Sequence, residues 1–314
     1  MALPSAMRPH HWVKNLFVLA PIFFAGRFDS PLAWGHCGLA VASFCLLSSA
    51  VYLINDICDR EEDRWHPDKR GRPIPSGRLS VGLATGSAVV LMVVGLGLAG
   101  TSVVWADWSV ETLAGWGLLL WAGTYLVLNL LYSLWIKHHM YVDVIFIAMG
   151  FVLRAMGGAA AIGVGISPWL VVCTFTLCLF LGFTKRRGEM TQLADKTVEK
   201  TRRTNQSYQL RELDRLITIS AGLAIMTYAL YCLAPRTVQH IGSAHMVWTI
   251  PLVVYGIFRY DRLSRLRGRG DVVQLLMGDT VLWMVIGVYL AVAMVVVKFG
   301  DHPAVAPILD VQSR

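Results

Sequence analysis

Long apolar runs separated by polar stretches dominate the chain. Nine of them read as spans, roughly 13–26, 32–54, 80–104, 111–134, 141–163, 168–185, 213–234, 244–260 and 272–298. A crossing helix needs about 20 mostly apolar residues. The first run is the weakest, being short and interrupted by Pro21. No cleavable signal is expected at the N-terminus. Arg8, His10, His11 and Lys14 precede the first run, and no cleavage-like stretch follows it.

The polar positions between the runs set an orientation. Of the 28 Lys and Arg residues, Arg27, Arg236, Lys298 and Arg314 fall on one face and Arg154 inside a span, and all the others fall on the opposite face. The positive-inside rule makes that richer face cytoplasmic. The prediction is an all-α integral membrane protein with nine transmembrane helices. Residues 1–314 would form a single polytopic domain in the cell inner (plasma) membrane, N-terminus inside and C-terminus outside. Two loops on the basic face are long, about 55–79 and 186–212. Long loops in a compact fold are usually functional, which puts the chemistry on the cytoplasmic side.

Composition narrows the class. The chain is 55% hydrophobic and only 15% charged, against about 25% charged in soluble domains. These figures exclude disorder, collagen and coiled coil. The six cysteines form no CxxC pair and lie mostly in apolar runs, where they read as small buried hydrophobes. The net charge of +8 is largely topology. Its residues flank spans without any nucleic-acid-binding motif, so no nucleic acid partner is expected. The membrane is the expected surrounding, and a homo-oligomer is left open.

Against the local basic bias, the second run ends in acids: Asn55, Asp56, Asp59, Glu62 and Asp63. At about 100° per residue, a continuous helix would gather all five on an arc about 120° wide. Stacked like charges are destabilising unless a cation sits among them. Carboxylate and amide oxygens suit Mg²⁺, which commonly shares its shell with substrate phosphates. The plainer alternative is a solvated helix end. A basic turn follows in the string HPDKRGRPIPSG, with His66, Lys69, Arg70, Arg72 and Arg78. Its glycines and prolines interrupt a helix. A carboxylate helix next to a cationic turn can hold metal and phosphate together, although plain positive-inside charge would also account for the turn.

The string Asn55-Asp56-Ile57-Cys58-Asp59-Arg60-Glu61-Glu62-Asp63, with RPIPSG at Arg72–Gly77, resembles the UbiA superfamily of intramembrane prenyltransferases. The resemblance covers nearly the whole chain. It implies nine helices around a central cavity and a first Asp-rich motif that binds a Mg²⁺-diphosphate. On that ground Asn55, Asp59 and Asp63 are the expected metal ligands, and Asp56, Asp59 and Asp63 the expected catalytic residues. The superfamily's usual second DxxxD motif is absent. Its place reads Lys185-Arg186-Arg187-Gly188-Glu189, and Asp195 and Glu199 form the only acidic i,i+4 pair downstream.

RPHHWVKN at Arg8–Asn15, YSLWIK at Tyr132–Lys137, DVIFIAMGFVLRAMGG at Asp143–Gly158, FTKRRGE at Phe183–Glu189 and YGIFRY at Tyr255–Tyr260 are similar to the superfamily's decaprenyl-phosphate phosphoribosyltransferase branch. The branch implies 5-phosphoribosyl-1-diphosphate (PRPP) as donor, a polyprenyl phosphate lipid as acceptor, and a product used in arabinan or related glycoconjugate synthesis. PRPP carries a remote 5-phosphate, which calls for cations where a prenyl diphosphate calls for a second metal. The substrate-binding candidates are Lys14, Lys69, Arg70, Arg72, Lys137, Asp143, Arg154, Lys185, Arg186, Glu189 and Tyr208.

Several of these have structural alternatives. Lys14 can be a positive-inside anchor, and Asp143 can sit at the interface. Arg154, a charge within a span and so a functional candidate by default, can instead partner a neighbouring helix. Asp143 and Arg154 are about 16 Å apart along one helix and must each find other partners. The glycines Gly157 and Gly158 read as packing positions. The rival functions are prenyl transfer from a diphosphate to an aromatic or lipid acceptor, and a transporter.

Overall fold

The computed structural model describes residues 2–65, 69–105, 113–165, 167–194, 209–267, 275 and 278–300. Every regular element among them is helical. In chain order they are α1 (Ala2–Met7), a 3-10 segment (Pro9–Leu19), α2 (Ala20–Phe24), α3 (Pro31–Cys58), α4 (Arg60–Trp65), α5 (Val81–Trp105), α6 (Leu113–Leu134) and a 3-10 turn (Ile136–His138). There follow α7 (Val142–Ala161), α8 (Pro168–Ala194), α9 (Leu210–Leu233), α10 (Pro235–Ile241), a 3-10 turn (His245–Thr249), α11 (Ile250–Arg267) and α12 (Thr280–Phe299). They form two compact units. Among the described residues the first holds 2–22 and 28–165, and the second holds 23–27, 167–194 and those from 209 onward.

Seven helices among the described residues are long and apolar enough to cross a membrane, or eight if a bent pair is one span, against the nine expected. The bent pair is Pro235–Ile241 with His245–Arg267, turned by 99°. The other shortfall is the first run. There the chain winds for 11 residues as a 3-10 helix before the short α2. At about 2.0 Å per residue the 3-10 segment covers about 22 Å, and α2 adds about 7.5 Å. The stretch thus reaches about the thickness of a hydrocarbon core with too few residues for an α-helical span. Its period also differs. Trp12 is half-buried, and Asn15 and Val18 are buried, at every third residue. Exposed apolar surface is wide elsewhere: Val89, Val90, Val93 and Val94 on α5 are all exposed.

In the first unit, Phe44, Leu47 and Val51 of α3 pack with Tyr125 and Leu126 of α6 and Leu153 of α7. The 3-10 segment joins this core at Val18, which is fully buried. It comes so close to α7 that a Cβ on Gly158 would sit 1.9 Å from the Val18 carbonyl oxygen. On Gly157 it would meet the Phe44 ring at 2.6 Å. These two glycines are packing positions, as their sequence context implies.

In the second unit, Tyr228, Tyr231 and Cys232 of α9 form a core with Met246 and with Ala293 of α12. Helix α12 starts later than its apolar run. Asp279 caps it, accepting from the Leu282 N–H at 2.7 Å. The same carboxylate receives Arg259 Nε and Nη2, each at 2.9 Å. The Arg259 guanidinium, with help from the Leu282 N–H, holds the Asp279 carboxyl below its usual range.

Two predictions follow from this packing. Gly158→Ala should push the Val18 backbone away and destabilise the first unit by about 1–3 kcal/mol, the usual cost of overpacking. Gly222→Ala, where a Cβ meets nothing within 4 Å, should be neutral or stabilising. Thermal unfolding in detergent checks both, and equal effects would contradict the packing described. For Asp279 the sign follows from its lowered titration point. The stabilisation is complete above the ordinary carboxylate range and is lost as pH falls through the lowered value. The melting difference between wild type and Asp279→Asn should therefore be flat near neutrality and shrink in acid. A difference that grows in acid would contradict the assignment.

Candidate active site

The acidic motif does not lie on one continuous helix. Helix α3 ends at Cys58, and Asp59 is its C-cap, with φ −89° and ψ 3°. Helix α4 then restarts at Arg60. The Asp59 N–H still donates to the Asn55 carbonyl at 2.9 Å, and the Asp63 N–H to the Asp59 carbonyl at 2.8 Å. This spacing keeps Asp56, Asp59 and Asp63 together. Glu62 is turned out to solvent, unlike the arc expected from the sequence.

Each of the three aspartates meets a cation. Asp56 is 1% exposed, and its Oδ1 accepts from Arg8 Nη2 and, at 3.1 Å, from Arg72 Nη1. The same Arg72 nitrogen donates to Asp63 Oδ2 at 2.6 Å. Lys69 Nζ lies 3.6 Å from the other Asp63 oxygen. Lys137 Nζ pairs with Asp59 Oδ1, while Asn55 Nδ2 donates to Asp59 Oδ2 at 3.2 Å. Lys137 is buried in the 3-10 turn between α6 and α7. All these groups belong to the first unit.

The loop holding Arg72 is a built turn. The Arg72 N–H donates to the Lys69 carbonyl and the Ser76 N–H to the Arg72 carbonyl. Ile74 and Leu79 anchor it by packing with Ala50 and Leu53 of α3. Arg78 wraps back to the Gly71 carbonyl, and Arg64 reaches the Pro75 carbonyl at 3.3 Å. Arg70 is exposed, and among the described residues no ion pair ties it to the cluster.

Arg8 is the site residue missing from the candidates drawn from sequence. It caps the 3-10 segment in a left-handed conformation, φ 53°, and its guanidinium lies 5.0 Å from the centre of the Tyr52 ring. The signal available was its place at the head of RPHHWVKN. As the first basic residue before an apolar run, it reads equally as a membrane anchor. Lys14 is half-buried on the same segment. Asp143 is fully buried in the first turn of α7. Arg154 lies deeper in α7 and donates to Asn15 Oδ1 at 2.7 Å, the Gly150 carbonyl at 3.0 Å and Tyr125 Oη at 2.8 Å.

In the second unit, Lys185 and Arg186 both pair with Glu189, at 3.8 and 2.6 Å. Arg186 is buried and Lys185 is exposed on its side chain. Beside them Arg187 pairs with Asp214 at 2.8 Å, and Asp214 also receives Arg265 at 2.9 Å. The sequence reading did not foresee this bracing of α8, α9 and α11. Tyr208 lies outside the described residues, as do His66, Asp195, Glu199 and Arg202.

The donor set suits a hard divalent ion. Three carboxylates and an amide supply oxygen ligands, and Asp56 Oδ2 is buried without a hydrogen-bond partner. Among the described residues, however, no three His, Cys, Asp or Glu side chains converge as a ready-made metal site. Arg8, Arg72 and Lys137 stand against the very oxygens that would converge.

Comparison with known proteins agrees with the fold and the family resemblance. The family model described as the UbiA prenyltransferase family matches residues 16–286. A protein of Corynebacterium glutamicum named decaprenyl-phosphate phosphoribosyltransferase is 37% identical over 72% of this chain and 66% of its own. One of the same name from Mycobacterium tuberculosis is 32% identical over 94% of both chains. Among solved structures, a UbiA homologue from Archaeoglobus fulgidus bound to GPP and Mg²⁺ superposes with a TM-score of 0.68 at 17% identity, covering 95% of this chain and 100% of that one. A UbiA model matched over most of the chain, a helical fold of the same kind and relatives of one name, one of them matched over 94% of both chains, converge on one conclusion: the chain belongs to the UbiA prenyltransferase family and is an integral-membrane transferase.

Proposed function

We propose that the protein transfers a 5-phosphoribosyl group from PRPP to a polyprenyl phosphate of the decaprenyl type, with Mg²⁺. The product, polyprenyl-phosphoryl-5-phosphoribose, would feed cell-wall arabinan or related glycoconjugate synthesis. The observation that carries the reading is the cluster in which Asp56, Asp59 and Asp63 each face a cation. Relatives named decaprenyl-phosphate phosphoribosyltransferase at 32–37% identity support the choice of donor and acceptor. The basic residues beside the spans support an active site facing the cytoplasm.

Asn55, Asp56, Asp59 and Asp63 are the residues that would hold Mg²⁺. Bound there, it would neutralise charge on the leaving diphosphate as a Lewis acid. Four cations, Arg8, Lys69, Arg72 and Lys137, surround three carboxylates, so the cluster offers no excess negative charge to a bare divalent ion. It favours a metal that arrives with a diphosphate. Arg8 and Arg72 have forked donors suited to phosphate oxygens, and Lys69 and Lys137 act as point charges. In the second unit, Lys185 and Arg186, both paired with Glu189, are proposed as phosphate-binding cations.

In the transfer, the C1–O bond to the diphosphate breaks and the diphosphate leaves with the electron pair. An oxygen of the acceptor phosphate forms the new bond to C1. That oxygen is already ionised near neutral pH, so the chain needs no strong base. Positive charge develops on the ribose in the transition state, and the carboxylates can stabilise it electrostatically.

A panel of labelled donors crossed with acceptors, read by product mass, tests the reaction. Label should pass from PRPP to polyprenyl phosphate and require Mg²⁺. Incorporation from a prenyl diphosphate alone would favour the aromatic or lipid prenyl transfer instead. Asp59→Ala and Asp63→Ala should each lower turnover by at least about a hundredfold, no less than the loss of groups that merely orient metal ligands. Wild-type turnover by either variant, with Mg²⁺ still required, would remove these residues from the metal site. Titration calorimetry should find weak Mg²⁺ binding alone and much tighter binding with pyrophosphate. Equal affinity in the two cases would contradict the charge balance described.

A further inference from the structure

Arg154 is buried within a span, and all three of its guanidinium nitrogens are engaged by neutral partners. Nη1 and Nη2 go to the Gly150 carbonyl and Tyr125 Oη, on α7 itself and on α6. Its Cζ lies 4.6 Å from the Tyr125 ring centre and 5.0 Å from that of Phe151. Among the described residues no carboxylate pairs with it. A buried charge in a membrane helix is expensive and marks function. Among the described residues, the one bond it sends off these two helices runs from Nε to Asn15 of the 3-10 segment, at 2.7 Å.

That segment needs outside support. Runs of 3-10 helix longer than three or four residues are uncommon because the hydrogen-bond geometry is poor, and this one has 11. It ends at Arg8 in a left-handed conformation unusual for a residue with a side chain. What fixes it is a row of polar hooks along α3. Asn15 Nδ2 donates to Cys45 Sγ at 3.1 Å and Ser48 Oγ at 3.3 Å. Trp12 Nε1 donates to Ser49 Oγ at 3.0 Å. His11 packs edge-on to Tyr52, and Arg8 reaches Asp56. Cys45, Ser49, Tyr52 and Asp56 are four, three and four residues apart, one stripe of a helix. The segment therefore runs antiparallel to α3 in a defined register, with Arg154–Asn15 near one end and Arg8–Asp56 at the other.

We infer that Arg154 is a positioning residue. Through Asn15 it locks the register of the 3-10 segment on α3 and so delivers the Arg8 guanidinium to Asp56, without touching substrate itself. The catalytic consequence rests on the proposed reading of the acidic cluster as a Mg²⁺-diphosphate site.

The test uses the full-length protein in nanodiscs, with inorganic pyrophosphate plus Mg²⁺ as the binding probe and hydrogen exchange of residues 9–19 as an independent readout. Arg154→Gln should raise exchange in that stretch at least about tenfold while leaving α8 and α9 of the second unit unchanged. It should weaken pyrophosphate binding about tenfold, and in turnover raise the KM for the diphosphate donor more than it lowers kcat. Arg8→Ala should weaken binding to a similar degree, and the double variant should bind no worse than Arg8→Ala alone, because the two residues act in series. Asn15→Ala, which removes the link and leaves the other bonds of Arg154 in place, should reproduce the pattern if Arg154→Gln does not fold.

Losses that multiply in the double variant, or unchanged exchange over residues 9–19, would overturn the inference while leaving the functional reading intact. A wild-type protein with no affinity for Mg²⁺-pyrophosphate would overturn the functional reading and the catalytic half of the inference together.

Discussion

Three aspartates gathered where α3 ends and α4 begins need positive charge beside them, and that constraint organises the first unit. Asp56 and Asp63 are buried, and a buried, unpaired carboxylate is costly by several kcal/mol. The partners come from three separate places in the chain. Arg8 arrives on the 3-10 segment, Arg72 and Lys69 on the turn after α4, and Lys137 on the turn between α6 and α7. The packing that brings those elements together is therefore also what makes the acidic motif tolerable at a membrane boundary. The same cations are the groups that a phosphate would recruit, so one arrangement would serve both stability and the proposed recognition.

The elements around the cluster are shaped by this need. An α-helical first span would give the chain from Arg8 onward a period of 3.6. The 3-10 winding instead puts Trp12, Asn15 and Val18 on one line, facing the polar stripe of α3. Gly158 permits the close backbone approach on the other side. The turn after α4 is held by its own hydrogen bonds and by buried Ile74, which fixes Arg72 where it can bridge two carboxylates. The second unit is braced by a different set of pairs, Arg187–Asp214–Arg265 and Arg259–Asp279. These tie helix ends together and leave Lys185, Arg186 and Glu189 as a separate group on α8.

Much of this was legible in the sequence because it is local. Apolar runs fix most of the spans, and the i,i+4 spacing of Asp59 and Asp63 survives the break at the end of α3. The cationic identity of the following turn was equally plain. What was not legible depends on contacts distant in sequence. Arg8 and Asp56 are 48 residues apart, Lys137 and Asp59 are 78, and Arg154 and Asn15 are 139. No pattern along the chain reports such pairings, so Arg8 passed for a membrane anchor. Among the described residues seven or eight helices pass as spans against the nine expected, for a related reason. A run with Pro21 and polar residues has the length of a crossing only if it is stretched, and α-helical reasoning does not anticipate 3-10 winding. The start of α12 at Asp279, a residue type that favours N-caps, lies inside the run 272–298 read as one span.

The central claim is that the carboxylates of α3 and α4 and their attendant cations form one binding site for a metal-bound sugar diphosphate. The most direct measurement is a structure of the full-length protein with Mn²⁺ in place of Mg²⁺ and PRPP, with the metal located by its anomalous scattering. The account predicts a metal peak among the oxygens of Asp56, Asp59 and Asp63, with Arg8, Arg72 and Lys137 turned from those oxygens onto the diphosphate. A metal or diphosphate bound elsewhere, with the three ion pairs unbroken, would contradict it.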